Sequence, residues 1–189
     1  MMRRAFAIVA LMLAAPMAWA GPVGEPDDEL RELMRQAMRE PDSFADRFDA
    51  EIWLVDMSTR LKPMMAKPED RVKFLRMVHT EAMRAKLSPE FVLSVIEVES
   101  RFNRFAISSA GAMGYMQIMP FWITEIGKKG DSLFDPQTNL RMGCTILKHY
   151  LDMENGDMVR GLARYNGSLG RIEYPALVIQ AMNRRWYKA

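Results

Sequence analysis

Apolar residues recur three and four positions apart along most of the chain, which is the period of an amphipathic helix. No alternating strand pattern links such segments, and no repeat of fixed length is present. The chain is therefore predicted to be mainly α-helical. The predicted helices span the apolar positions Leu30 to Met38, Phe44 to Leu61, Val72 to Ala82, Phe91 to Phe102, Leu140 to Leu151 and Tyr174 to Tyr187.

Three polar residues mark helix starts. Ser88, Asp135 and Asp157 can each accept a hydrogen bond from a backbone N–H of the following turn, and proline follows Ser88 and Asp135 directly. Proline suits the first helical position because the N–H that it lacks has no partner there. Between two of the helices, the small residues of 106–114 are too irregular for a helix and predict a tight loop with short extended pieces.

Residues 1–20 have the layout of a secretory signal peptide. Arg3 and Arg4 precede a short apolar run, and Ala18-Trp19-Ala20 has the small-x-small pattern of a cleavage site. A retained membrane anchor is the alternative, but the run is too short to cross about 30 Å of hydrocarbon. The sequence thus predicts export with cleavage near Ala20, to the periplasm or onward to the medium. We expect no integral membrane segment in the mature chain.

Charge and composition exclude several classes of function. The chain has 189 residues with 26 Lys and Arg against 24 Asp and Glu, and removal of Arg3 and Arg4 makes the two sets equal. This balance gives no reason to expect nucleic acid as a partner. His79 and His149 lie far apart without ligand-spaced neighbours, so no metal and no cofactor are expected. Cys144 is the only cysteine, which excludes an intrachain disulfide.

Two glutamates in the predicted helix that begins at Pro89 differ in their expected surroundings. A rotation of about 100° per residue puts Glu97 and Glu99 about 200° apart. Glu99 falls within the apolar arc of this helix. Glu97 falls on the opposite side, where a pair with Arg101 is available. We therefore expect Glu97 to be solvated and Glu99 to be surrounded by apolar side chains.

Burial of Glu99 would raise its pKa, because the charged carboxylate loses hydration. The negative end of the helix dipole lies nearby and acts in the same direction. Such a group can stay protonated near neutral pH and act as a general acid. A structural alternative remains, in which Glu99 is a buried carboxyl that binds a loop.

Several motifs occur in order along the chain, and in combination they are specific. They are Glu99-Ser100-x-Phe102, the loop Ala106-Ile107-Ser108-Ser109-Ala110-Gly111-Ala112-Met113-Gly114-Tyr115-Met116-Gln117-Ile118-Met119-Pro120, the stretch Asp135-Pro136…Asn139…Gly143, and Ala163-Arg164-Tyr165-Asn166-Gly167. The combination strongly resembles the soluble lytic transglycosylase domain of bacterial cell-wall enzymes, which are lysozyme-like and cleave murein. The resemblance covers roughly Leu87 to Tyr174.

The resemblance implies a lysozyme-like helical domain over residues 87–189, with the irregular loop beside a cleft. Residues 21–86 would form a small N-terminal helical extension. Glu99 corresponds to the single catalytic acid/base of the family. The residues that correspond to family positions lining the sugar cleft or lying near the acid are Ser108, Gln117, Met119, Tyr165 and Asn166.

The implied activity is cleavage of the β-1,4 bond between N-acetylmuramic acid and N-acetylglucosamine, with formation of a 1,6-anhydro ring. Peptidoglycan glycan strands would be the partner, and the sequence identifies no protein partner. The alternatives are a hydrolytic muramidase on the same fold and a peptidoglycan-binding scaffold component without chemistry. Three departures from the family pattern, all outside the acid, are Tyr115 in place of leucine, Arg164 in place of alanine, and Ser168-Leu169 within the usual small-Gly-Pro-Gly turn.

Overall fold

Seven α-helices and a π-helical turn make up most of the described structure, a computed structural model that covers residues 47–187. The helices are α1 (Arg47–Leu61), α2 (Pro68–Arg84), α3 (Pro89–Ser100), α4 (Phe121–Ile126), α5 (Pro136–Met153), α6 (Met158–Tyr165) and α7 (Glu173–Ala181), and α7 continues into the π-helical turn Met182–Trp186. The mainly helical fold class is confirmed. The predicted signal peptide and the predicted helix at Leu30 to Met38 lie outside the described residues.

The helix starts agree with the local signals in the sequence. Ser88, Asp135 and Asp157 each accept a hydrogen bond from the backbone N–H three residues further on, at 3.1, 2.9 and 3.0 Å. These caps satisfy N–H groups that have no partner within the helix. Helix α4 was not predicted, because six residues give too short a window for a period to show. Within residues 47–187, no helix is both long and apolar enough to cross a membrane.

Helix α3 lies at the centre of the fold. It packs against α2, α7 and the π-helical turn, and every residue from Phe91 to Ile96 is buried. Ser94 is fully buried as well, and its hydroxyl donates to the Glu90 carbonyl at 2.7 Å. A helix that is covered on all sides has no wholly solvated face. The side of α3 opposite the predicted apolar arc is therefore also covered by protein.

An ionic network joins α2 to α5 in the interior. The Glu81 carboxylate is fully buried and pairs with Arg84 and Arg141, both at 2.7 Å. Gln137 donates a further hydrogen bond to it at 2.5 Å, and Arg84 also donates to the Thr145 hydroxyl at 2.7 Å. A buried carboxylate needs such partners, since an unpaired charge in the interior is costly. The network fixes α5 against α2.

The irregular loop is confirmed between α3 and α4. Its only regular pairing among the described residues consists of two isolated antiparallel bridges, Ile107 with Met113 and Met113 with Ile118. Met113 thus lies between Ile107 and Ile118, and the loop folds back on itself twice.

Candidate active site

Glu99 lies in the last turn of α3. Arg101 and Phe102, which follow this helix, have left-handed backbone angles with φ of 50° and 63°. This corner ends α3, and Glu99 in the last turn of the helix is half-buried. The central helix thus presents one carboxyl at its C-terminal end, beside the irregular loop.

Burial raises the pKa of Glu99 from 4.5 to about 7, because the carboxylate loses hydration among its neighbours. The Tyr174 hydroxyl donates to Oε1 at 2.6 Å and opposes this shift in the pKa, since it favours the charged form. The other oxygen, Oε2, accepts no hydrogen bond from residues 47–187 and is left for a ligand or a proton. The carboxyl can therefore hold or release a proton near neutral pH.

Tyr174 is a functional candidate that sequence reasoning missed. It lies at the start of α7, 75 residues after Glu99. The sequence predicted Tyr174 only as the start of a helix and gave no indication of its partner. Burial and then the charge of Glu99 raise its pKa well above 10, so the hydroxyl keeps its proton and acts as a donor.

Tyr165 lies near Glu99 without binding it. Its hydroxyl donates to the Met116 carbonyl at 2.7 Å, at the end of α6. Burial raises the pKa of Tyr165 well above 10, and the nearby Glu99 charge raises it further. Asn166, the next residue, caps α6 with its backbone N–H, which donates to the Leu162 carbonyl at 3.0 Å. Tyr165 thus connects the end of α6 to the loop near the acid.

Ser108 and Gln117 are both half-buried in the loop and keep polar groups for a ligand. The Ser108 hydroxyl oxygen accepts from the Ala112 N–H at 3.0 Å. The Gln117 side-chain amide donates to the Gly114 carbonyl at 2.9 Å and to the Ala106 carbonyl at 3.3 Å. Within the described chain, neither the Ser108 hydroxyl proton nor Gln117 Oε1 has a hydrogen-bond partner. No described hydrogen bond joins either side chain to Glu99.

Asn139, fully buried on α5, holds the loop in place. Its Oδ1 accepts from the Met116 N–H at 2.8 Å, and its Nδ2 donates to the carbonyls of Met113 and Leu133 at 2.9 and 3.0 Å. Gly114 passes so close that an added Cβ would lie 2.3 Å from Asn139 Nδ2, and its φ is +80°. Glycine is needed there for both reasons.

Met119, the remaining predicted site residue, is half-buried and packs against the core. Methionine is well suited to a partly covered wall because its side chain adapts to irregular gaps. Within residues 47–187, no group of three or more His, Cys, Asp or Glu side chains is arranged to hold a metal ion.

The prediction that Glu97 is solvated is wrong. Its side chain is 11% exposed, and it pairs with Arg184 at 2.8 Å and Arg185 at 3.3 Å rather than with Arg101. The Trp186 indole N–H also donates to it at 2.8 Å. The helical period placed Glu97 on the correct side of α3 but could not show that the end of the chain covers that side.

Comparison with known proteins gives a consistent family. A family model for the transglycosylase SLT domain matches residues 76–176, which include Glu99, Tyr174 and the five residues predicted to bind the glycan. The chain is 32% identical over 104 residues to a transglycosylase of Enterobacteria phage PRD1, covering 51% of this chain and 38% of that protein. It is 33% identical over 93 residues to membrane-bound lytic murein transglycosylase C of Haemophilus influenzae, covering 42% and 26%.

The chain therefore spans less than half the length of these curated relatives. Among solved structures, the lytic transglycosylase Slt of Pseudomonas aeruginosa aligns with 86% of this chain and 35% of its own, at 19% identity and a TM-score of 0.47.

Proposed function

Because the chain belongs to the transglycosylase SLT domain family, we propose that it is a lytic murein transglycosylase that acts on peptidoglycan glycan strands. The observation that supports this most directly is the Glu99 carboxyl, whose pKa burial raises to about 7 while one of its oxygens is left for a ligand. It lies beside a loop that offers polar groups to a sugar chain. A scaffold protein that only binds would have no use for a carboxyl in this state.

In the first step, protonated Glu99 gives its proton to the glycosidic oxygen of the departing N-acetylglucosamine. The bond from that oxygen to C1 of N-acetylmuramic acid breaks, and the carbonyl oxygen of the sugar's own N-acetyl group bonds to C1. Glu99 becomes a carboxylate as this happens. The Tyr174 hydroxyl then donates to a charged oxygen, and such a hydrogen bond is stronger than one to a neutral acceptor.

In the second step, the Glu99 carboxylate removes the proton from the C6 hydroxyl of the same muramic residue. The C6 oxygen bonds to C1 as the N-acetyl oxygen leaves, which forms the 1,6-anhydro ring and returns Glu99 to its protonated state. No water is consumed. One carboxyl acts first as acid and then as base, so a pKa near neutrality suits both tasks.

No second carboxylate of the described chain shifts the pKa of Glu99. This favours a scheme with one acid over a scheme that uses two acids close together. Only burial and the Tyr174 hydrogen bond shift its pKa within the described chain. Retaining glycosidases place two carboxyls about 5 Å apart, and a second negative charge at that distance would raise the pKa of the first.

We assign the binding of the glycan to the side chains of Ser108, Gln117, Met119, Tyr165 and Asn166, of which Tyr165 lies near the acid. The Ser108 hydroxyl would donate to a sugar oxygen, and Gln117 Oε1 would accept from a sugar hydroxyl or amide. Met119 would contact an apolar sugar face, while Tyr165 and Asn166 would form the wall on the other side. Their half-buried positions at the surface support this assignment.

We also propose that the protein works outside the cytoplasm, where peptidoglycan lies. The signal-peptide pattern of residues 1–20 supports export. Detection of a mature form that begins near Gly21, by N-terminal sequencing of exported protein, would test this.

Digestion of purified sacculi followed by mass spectrometry of the products tests the reaction. We expect muropeptides with anhydro ends, each lighter by one water than the hydrolysis product. Reducing ends would show a hydrolytic muramidase, and uncut sacculi that still bind the protein would show a scaffold component.

The matched variants are Glu99→Gln and Glu69→Gln, the latter at an exposed glutamate of α2. The first should bind sacculi without cutting them, whereas the second should retain activity. Normal turnover by Glu99→Gln would overturn the assignment of the acid.

A further inference from the structure

The π-helical turn at the end of the described chain binds the back of the helix that carries Glu99. Its Trp186 is 1% exposed, and the indole N–H donates to Glu97 Oε2 at 2.8 Å. Arg184 donates to the other Glu97 oxygen at 2.8 Å. Glu97 lies about 200° around α3 from Glu99. The turn therefore holds the last part of α3 from the side opposite the acid.

Trp186 also holds the chain just after the acid. Its ring packs against the Phe102 ring with centroids 5.6 Å apart, and Phe102 in turn packs against Phe74 of α2 at 5.9 Å. Arg101 and Phe102 have positive φ values, a conformation that costs a non-glycine residue about 1–2 kcal/mol. Packing must supply this free energy for the corner to persist. Trp186 is one of the two rings that provide it.

The turn itself is fixed from two directions. Arg60 of α1 donates to the Arg185 carbonyl at 2.7 Å, and Arg60 is held by two hydrogen bonds from its guanidinium to Asp56, at 2.8 and 2.6 Å. The turn also continues α7, whose first turn carries Tyr174. Helix α7 and the turn form one continuous segment. The start of this segment contacts Glu99 through Tyr174, and its end contacts Glu97 and Phe102 through Trp186.

We propose that Trp186 is a positioning residue for the reaction, which fixes the Glu99 carboxyl against the glycan by holding Glu97 and Phe102, two residues before and three residues after it. This inference rests on the proposed function. Trp186 acts through its neighbours and has no contact with the substrate. Glu97 is part of the same arrangement, because its carboxylate on α3 accepts the hydrogen bond from Trp186.

Trp186→Phe tests the proposal because it keeps a ring against Phe102 and removes the N–H that binds Glu97. The smaller ring also leaves a gap at this buried position, a change that Glu97→Gln does not make. We expect kcat on sacculi to fall about tenfold, because even a small displacement of a catalytic group lowers the rate strongly. We expect KM to change by less than about twofold, since the sugar-binding side chains are untouched. Glu97→Gln should lower kcat in the same way through loss of the charge that pairs with Arg184.

Trp53→Phe is the matched control. The Trp53 indole N–H donates to Glu90 Oε1 at 2.6 Å, so it makes the same kind of bond to the same helix. Glu90 lies nine residues before Glu99, about 13 Å along the helix axis at 1.5 Å per residue. Trp53→Phe should therefore leave kcat unchanged. Thermal denaturation of every variant gives its folded fraction. Comparison of kcat at equal folded fraction then separates a loss of activity from a loss of folded protein.

A second readout does not depend on the reaction. The Glu99 carboxyl carbon can be titrated by ¹³C NMR in the whole protein. Loosening of the helix end admits water, so Trp186→Phe should lower the pKa of Glu99 from about 7 toward 4.5, and Trp53→Phe should not. The proposal is overturned if Trp186→Phe and Glu97→Gln match Trp53→Phe in both kcat and titration. Failure of the wild-type protein to form anhydro ends would instead overturn the proposed function, and the titration would still decide the role of Trp186.

Discussion

Glu99→Gln should make the stability of the protein less dependent on pH. The substitution keeps the shape of the side chain, and the amide oxygen can still accept from the Tyr174 hydroxyl. It removes only the ability to ionise. In the wild-type protein, burial raises the pKa of Glu99 from 4.5 to about 7. Between these values the folded protein holds a proton that the unfolded chain has already released.

The sign of the effect follows from this difference in bound protons. Because the unfolded chain binds fewer protons in this window, the free energy of unfolding falls as pH rises from about 4.5 through about 7 and is then level. At 1.36 kcal/mol for each pKa unit, the wild-type protein loses about 3 kcal/mol across the window. The Glu99→Gln variant lacks this pH-dependent contribution. Between about pH 4.5 and pH 7, its free energy of unfolding should therefore rise by about 3 kcal/mol relative to that of the wild-type protein.

Urea unfolding of both proteins, at a series of pH values from about 4 to about 8, measures this difference. Subtracting one curve from the other removes the titration of every group that the two proteins share. The reasoning is refuted if the difference stays constant with pH, because Glu99 would then ionise as it does in the unfolded chain. Its assignment as an acid that is protonated near neutral pH would fail with it.

Three further substitutions test other parts of the site. Tyr174→Phe removes a hydrogen bond that favours charged Glu99, so the pKa of Glu99 should rise further and the basic limb of the kcat/KM profile should move to higher pH. Gly114→Ala should lower the free energy of unfolding by more than about 2 kcal/mol, from the clash with Asn139 and the positive φ together. Ser88→Ala should cost about 1 kcal/mol in chemical denaturation and leave kcat unchanged, because the cap lies at the far end of α3.

Each of these has a control within the chain. Tyr187→Phe alters an exposed tyrosine and should leave the pH profile in place. Gly130→Ala tests backbone strain alone, since φ is +96° and no atom lies within 4 Å of an added Cβ. An equal loss of unfolding free energy in Gly114→Ala and Gly130→Ala would show that the Asn139 side chain moves aside readily. A lower kcat in folded Ser88→Ala would show that the helix start influences the acid.

Local signals in the sequence predicted the helices well. The cap at Ser88 depends only on residues within one turn, and so does the cap at Asp135, which is why both starts were correct. The burial of Glu99 was also predictable, because helical rotation places it within the apolar arc of its own helix. The irregular loop followed from small residues that favour turns over helices.

Contacts between distant segments were not predictable in the same way. Glu97 meets Arg184 across 87 residues, and Glu99 meets Tyr174 across 75. No period within one helix contains this information, since it depends on how α7 packs against α3. The anchoring of the loop by Asn139 is of the same kind: the residue was noticed as part of a motif, but its three hydrogen bonds are visible only once α5 and the loop are in place.

The left-handed corner at Arg101 and Phe102 has a consequence for attempts to make a more heat-resistant form of this protein. Glycine is the residue that adopts such angles most readily, and a scheme that optimises backbone geometry would select it at both positions. At Phe102 that choice would also delete the ring between Phe74 and Trp186. Loss of this buried ring would cost more stability than the relief of strain returns, so thermal tolerance and catalytic rate would both fall. Arg101, whose side chain is exposed, is the safer of the two positions to change.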